Sequence, residues 1–221
     1  MAIMMCSLPT HPANLFKAQQ TTISRLRLDK RLKLLEPRHL EELALIEKVV
    51  HWSQLPMGLT DAEFLRQAHE LFATLESAFV KDIVNFRLEL RSLVAALRRR
   101  RLGMDAPGDN EVWGCGRWLS SIRRHWQQPD FGLKMAVPWI AEANKLLESG
   151  DSAGLQRLQM ELNWNHYRRV AGGHTFDFEA VVIYVLRWDM IDRWVRYDGQ
   201  AAQIRFQKLV EEGLGKFREV L

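Results

Sequence analysis

Apolar residues recur four and three apart along most of this chain, the spacing that places them on one face of an α-helix. The clearest case runs from Phe79 to Gly103, where Phe79, Ile83, Phe86, Leu90, Leu93 and Leu97 form one stripe. Offset by one residue, Arg87, Arg91, Arg98 and Arg101 follow the same rhythm, interrupted only by Val94. None of these arginines has an acidic residue three or four positions away on its own helix, the spacing at which side chains of one helix meet. Their counter-charges must lie on another segment, on a partner or in solvent.

The same period predicts helices elsewhere. Thr22 to Leu35 reads as a basic helix with Ile23, Leu26 and Leu34 as its apolar positions, and Pro37 opens a helix carrying Leu40, Leu43, Ile46, Glu47 and Val50. Pro56 and Gly58 mark a loop, after which Thr60 and Glu63 form a capping box for a helix to about Glu76. That helix is continuous with the two-stripe helix or kinks into it, and Gly103 caps the latter. Met104 to Asn110 is the clearest linker. Further helices are predicted over Glu111–Trp126, over Lys134–Leu147 with a bend at Pro138, and over Ser152–Val170 with Asp151 as N-cap. Gly172-Gly173 breaks the pattern, Thr175 caps a helix from Phe176 to Arg196, and Gly199 precedes a terminal amphipathic helix with Ile204, Phe206, Leu209, Val210, Leu214 and Phe217. The first ten residues read as a short extended segment, with Pro9 and Pro12 precluding an early helix. The expected fold is an all-α multi-helix bundle of about eight or nine helices, one domain over residues 1–221, with residues 103–110 as the boundary if two lobes exist.

Composition narrows the setting. A formal charge of +4 on 221 residues is too small an excess for a dedicated nucleic-acid binder. The longest apolar run, Ala180 to Leu186, falls far short of the ~20 residues that cross a bilayer. Met1 to Pro9 lacks the basic start of a secretory signal, and Cys6 and Cys115 alone make no disulfide framework. The expected location is the cytoplasm, with any attachment to the inner membrane made through a protein complex.

Candidate chemistry is sparse. Gly114-Cys115-Gly116 lacks the strand, the later Gly and the Lys of a phosphate-cradling loop. Cys115 with His125 would make a thiol–imidazole pair, but a buried apolar Cys beside a surface His is the commoner arrangement. Glu36 and His39 have di-iron spacing without the second copy that chemistry needs. His166 and His174 flank the Gly-Gly break without a third ligand at sensible spacing. No catalytic residue, cofactor or metal is expected. Arg98 to Arg101 supply positive charge where a helix C-terminus favours it, but that leaves Arg87 and Arg91 unexplained. Asp189 and Asp192 are acids they could reach across the core, although Arg193 and Arg196 lie four residues on from each and form the ordinary helical pairs.

Two stretches together carry a family resemblance. Phe79, Phe86-Arg87, Leu90-Arg91, Leu97-Arg98 and Leu102-Gly103 are similar to a helix of an uncharacterised bacterial family found beside V/A-type ATPase genes, with Ser92 where Asn is expected. Phe176-Asp177-Phe178-Glu179, Tyr184-Val185-Leu186-Arg187 and Arg193-Trp194 resemble its C-terminal signature, and Ser7-Leu8-Pro9 its opening. The resemblance implies a helical protein like the C-type socket subunit of V/A-type ATPases (the eukaryotic d subunit), which joins central stalk to membrane ring. It implies a mechanical role, with stalk or ring subunits as partners and no small-molecule substrate. The leading expectation is therefore a non-enzymatic interaction protein, with Arg87, Arg91, Arg98, Arg101, Asp189 and Asp192 binding a partner or pairing internally. The alternative is a nucleic-acid-binding module using residues 25–33 and 98–101, whose affinity would fall steeply with salt.

Overall fold

Nine α-helices and no strand occur among the residues described by the computed structural model, 1–50, 60–109 and 111–197. They are α1 (Ala2–Cys6), α2 (Arg25–Leu32), α3 (Pro37–Val50), α4 (Asp61–Thr74), α5 (Ala78–Arg101), α6 (Leu119–Arg124), α7 (Ile140–Glu148) and α8 (Ser152–Val170), followed by α9 over residues 178–197. This is the all-α bundle that the periodicity predicts. The loop at Pro56 and Gly58, Asn110, and the terminal helix after Gly199 lie outside the described residues.

Local chemistry sets the helix ends. Thr60 Oγ1 accepts from Glu63 N at 3.2 Å while Glu63 Oε2 accepts from Thr60 N at 2.9 Å, the reciprocal capping box of α4. Asp151 Oδ1 accepts from Gly154 N at 2.7 Å and starts α8 at the predicted residue. At the end of α5, Gly103 adopts φ +71°, Gly103 N donates to Arg100 O and Met104 N to Arg99 O, so a left-handed residue turns the chain and satisfies the last carbonyls.

Helix α5 links two apolar clusters. Its first half, with Val80, Ile83, Val84 and Leu88, packs among residues of α3, α4, α8 and α9. Its second half, with Leu93, Val94, Ala96 and Leu97, packs against Trp113, Trp126, Phe131 and the α6–α7 region. Helix α9 is buried on nearly every side from Ala180 to Leu186 and again at Trp188, Met190 and Ile191, as expected of a helix apolar all round. The proline-bearing segment before α2 is tied to α8 and α9 by side chains: Tyr184 Oη donates to Pro9 O, Trp164 Nε1 to Ala13 O and Trp188 Nε1 to Ile23 O at 2.7 Å. A chain without a ladder of its own thereby has three of its carbonyls satisfied by side chains of α8 and α9.

Several expectations are corrected. Residues 2–6 form a helix, not an extended segment; Pro9 restricts only its immediate predecessor, and Met4 is buried. Helix α2 is shorter and rotated: Leu28 and Leu32 face inward, while Leu26 and Leu34 are 68% and 65% exposed. Arg25 fixes that rotation by gripping both carboxylate oxygens of Glu47 on α3, at 2.6 and 3.0 Å. Helix α4 stops at Thr74, and Ser77 caps α5 by accepting from Val80 N. Of the helix expected over Glu111–Trp126 only Leu119–Arg124 forms, because Ser92 Oγ accepts from Cys115 N at 2.7 Å and Glu89 Oε1 from Arg117 N at 3.1 Å, pinning the preceding loop onto α5. The helix around Pro138 begins only at Ile140, the proline disfavouring helical backbone before it. Helix α9 is capped by Asp177, whose Oδ1 accepts from Ala180 N at 2.9 Å, and not by Thr175.

Gly116 (φ +98°) is where the loop touches α5 most closely, since a Cβ there would lie 2.1 Å from Glu89 Cγ; at Gly103 it would meet nothing within 4 Å. Gly103→Ala should therefore destabilise by about 1–2 kcal/mol for the left-handed backbone alone. Gly116→Ala should cost clearly more, and equal urea midpoints for the two variants would contradict this packing.

Candidate functional site

The arginine stripe of α5 divides once folded. Arg87 is 8% exposed, and a buried guanidinium is stable only with counter-charge and hydrogen-bonding partners close by. It lies against the Tyr167 hydroxyl of α8 and close to the carboxyl of Asp189 on α9. Burial, reinforced by the nearby Glu47 carboxylate, pushes Asp189 up to about 7, while Arg25 and Arg87 pull the other way. Burial also raises the Tyr167 hydroxyl. Arg193, half-buried on the same helix as Asp189, is lowered by burial and by the charge of Arg87.

Arg91 points elsewhere. Its guanidinium carbon sits 3.6 Å from the centre of the Phe64 ring on α4, a cation–π contact, and the Asp61 carboxylate of the same helix acts on its charge. The structure thus brings Arg87 to Asp189 and Arg91 to α4. Asp192 pairs with Arg196 at 2.9 Å, four residues on. Within the basic run, Arg99 pairs with Glu111, and Arg100 donates to the carbonyls of Gln128 and Pro129 and to Asn144 Oδ1 at 2.8 Å. Arg98 and Arg101 remain exposed.

Arg87 and Arg98 of α5 meet Arg193 of α9 at a recess of about 240 Å³, whose α8 wall includes Asn163. A wider groove of about 660 Å³ lies between α5, α8 and the Ala136–Trp139 turn, with Phe86 stacked on His166 at 3.8 Å and Arg169 donating to His166 Nδ1. Burial, helped by Arg169, holds His166 down at about 4. Glu89, a buried carboxylate at the groove's edge, takes Arg117 Nε at 3.3 Å. Sequence reasoning missed it; its one signal is that it is one of only two acids on α5, with Asp82.

The residues weighed for metal or thiol chemistry are dispersed or structurally occupied. His174, Asp177 and Glu179 place ligand atoms within 4.8 Å of one another. Their hydrogen bonds serve the α9 N-terminus: His174 Nδ1 lies 2.6 Å from Asp177 Oδ2, and Glu179 Oε1 accepts from Ser77 Oγ at 2.7 Å. His166 belongs to the groove and His174 to this cap. His39 stacks on Phe178 at 4.3 Å, with Glu36 exposed. The Cys115 thiol is pushed up to about 11 by burial, which keeps it protonated near neutral pH. His125 lies instead against Ser121 and Gly132.

Leu26 on α2 and Leu34 in the turn that follows it stand exposed, eight residues apart, with exposed Arg27, Lys30 and Lys33 between them in the chain. Scattered exposed leucines are ordinary, but here one on α2 and one in the turn that follows it stand exposed with exposed cations between them in the chain.

What these observations define is an all-α protein with internal arginine pairing, a basic recess and an apolar-basic outer helix. Residues 21–213 match the family described as "protein of unknown function (DUF2764)", and the chain belongs to that family. It matches no curated protein and no solved structure. Among the described residues, no helix is long and apolar enough to cross a membrane.

A folded Asp189 that keeps its proton up to about 7, against roughly 3.9 for a free Asp, makes folding stability fall as pH rises through that window. A double-mutant cycle of Arg87→Met and Asp189→Asn in urea should give a coupling of about 1–3 kcal/mol at pH 8.5 and less at pH 5, where Asp189 is protonated. Arg91→Met paired with Asp189→Asn should give none; the opposite assignment of coupling would show that the two arginines are misplaced. His166 works with the opposite sign: the unfolded chain binds its proton near 6.5 and the folded one only near 4, so stability is lost as pH falls between them. His166→Gln should lose less thermal stability than the wild type over that range, by scanning calorimetry.

Proposed function

We propose that the protein acts by binding other proteins, without chemistry of its own, and that the outer face of α2 is a docking surface for an acidic partner. The observation that carries this is the exposure of Leu26 on α2 and of Leu34 in the turn after it, with exposed Arg27, Lys30 and Lys33 between them in the chain. Apolar anchors rimmed by charge suit a protein partner, because the leucines supply burial on contact and the cations steer and orient. Phosphate backbones would engage the cations but have no use for the leucines. Arg99 and Arg100, engaged inside the fold, further thin the basic run that a nucleic-acid module would use.

Within this reading the partner belongs to the stalk or ring of a rotary ATPase, and the role is that of a socket-like coupling part or an accessory factor derived from one. The helix and C-terminal patterns that resemble the ATPase-associated family support that choice. The α5 helix shared by two apolar clusters supports it further, since a coupling part has to carry force through a stiff body.

The test is affinity capture from native host membranes with the tagged full chain and with a Leu26→Glu/Leu34→Glu variant whose circular dichroism and Tm match the wild type. Stalk or ring components of the rotary ATPase should be enriched with the wild type and reduced roughly tenfold or more with the variant, the loss of two buried anchors at an interface. Equal capture by both proteins, or no ATPase component with either, would overturn the proposal.

A further inference from the structure

We infer that the recess between α5, α8 and α9 binds a small phosphate-bearing anion, as inorganic phosphate or a compact phosphomonoester. Arg87, Arg98 and Arg193 line it, and no Asp or Glu does. Such a gathering of like charge is unfavourable unless something negative answers it. Asp189 faces both Arg87 and Arg193, while Arg25 is answered by Glu47 and Asp29, so one carboxyl serves two arginines of the recess. Neither Arg98 nor Arg193 has a hydrogen bond or ion pair of its own among the described residues. The recess is therefore left with excess positive charge on donors that suit the oxygens of a tetrahedral anion.

Asn163 indicates which anion. It is 1% exposed, and its Nδ2 donates to Gln159 O at 2.6 Å, which fixes the amide so that the nitrogen faces the helix carbonyl. Its Oδ1 is buried and left without a donor, and Asn163 is one of the residues that line the recess. A buried acceptor among arginines calls for a ligand that is negative yet still carries a proton to give. Inorganic phosphate meets that description near neutral pH, since even its dianion keeps one proton, and a phosphomonoester meets it in the fraction that holds its proton at and below its second ionisation near 6. The charged oxygens would accept from Arg98 and Arg193 while the P–OH group donates to Asn163 Oδ1. Sulfate, fully deprotonated, would set an oxygen against Asn163 Oδ1 with no hydrogen between them. A volume of about 240 Å³ admits the phosphate with a small organic substituent.

Isothermal titration of the full chain at pH 6.5 with inorganic phosphate, phenyl phosphate and sulfate, at matched ionic strength, tests this. Phosphate should bind roughly tenfold or more tightly than sulfate, and Arg98→Gln, at an exposed position, should weaken phosphate roughly tenfold while leaving the ligand-free Tm unchanged. Arg193→Gln should do the same. Asn163→Ala should bring phosphate and sulfate affinities together, a loss of discrimination that general destabilisation would not produce. Tighter binding of phenyl phosphate than of free phosphate would identify an ester site, and equal or weaker binding a site for the ion itself; either upholds the recess. Sulfate binding as tightly as phosphate, wild-type affinity in Arg98→Gln and Arg193→Gln, or no binding heat with any of the three would overturn it. Arg98→Gln should capture partners through α2 as the wild type does, so the fate of this site is separable from that of the docking face.

Discussion

Burying the Arg87 guanidinium organises the middle of the protein. A charge in that position is tolerable only where several elements converge to compensate it, and the elements that converge are α5, which carries Arg87, α8, which brings Tyr167, and α9, which brings Asp189. Arg25 and Glu47 extend the cluster outward to α2 and α3. The polar centre therefore reaches most of the helices that build the larger apolar cluster, and it ties their rotations together. An apolar contact can slide by a residue at modest cost, whereas a buried ion pair has to meet its partner in one geometry. Because the same α5 continues into the second apolar cluster around Trp113, Trp126 and Phe131, its placement also positions the α6–α7 region.

The arginines of one stripe end in different roles because their surroundings differ. Arg87 enters the polar centre, Arg91 sits over the Phe64 ring and Arg98 lines the recess, while their neighbours Arg99 and Arg100 fasten the chain that follows α5. Cations near the C-terminus of α5 also suit the helix dipole, but that general preference does not distinguish among them; the partner each finds does. The functional proposals rest on those cations that internal contacts leave available, on the outer face of α2 and in the recess. The half-buried Cys115 thiol stays protonated near neutral pH, and His166 and His174 are held in a ring stack and a helix cap.

Much of the architecture is readable in the chain itself. The capping box at Thr60 and Glu63, Asp151 before α8 and Gly103 after α5 are local devices, completed within a few residues, so they appear in the structure at the predicted places. The all-helical class follows from periodicity sustained over long stretches. Where one segment offers two readings, the pattern misleads. Helix α2 and the turn after it have leucines at positions 26, 28, 32, 34 and 35, enough for two different apolar faces, and only the grip of Arg25 on Glu47 selects which is buried. The stretch from Glu111 carries a helical pattern that is overridden by its docking on Ser92 and Glu89.

The sequence alone determined the fold class, the principal helix caps and the anomaly of arginines without local partners, since all three depend on residues close together in the chain. Tertiary structure decided where each arginine's charge is answered, which leucines of α2 face solvent, and that Arg87, Arg98 and Arg193 share a recess with Asn163. Those outcomes join residues up to about a hundred positions apart, and the energies involved, desolvation against pairing, exist only once the helices have packed.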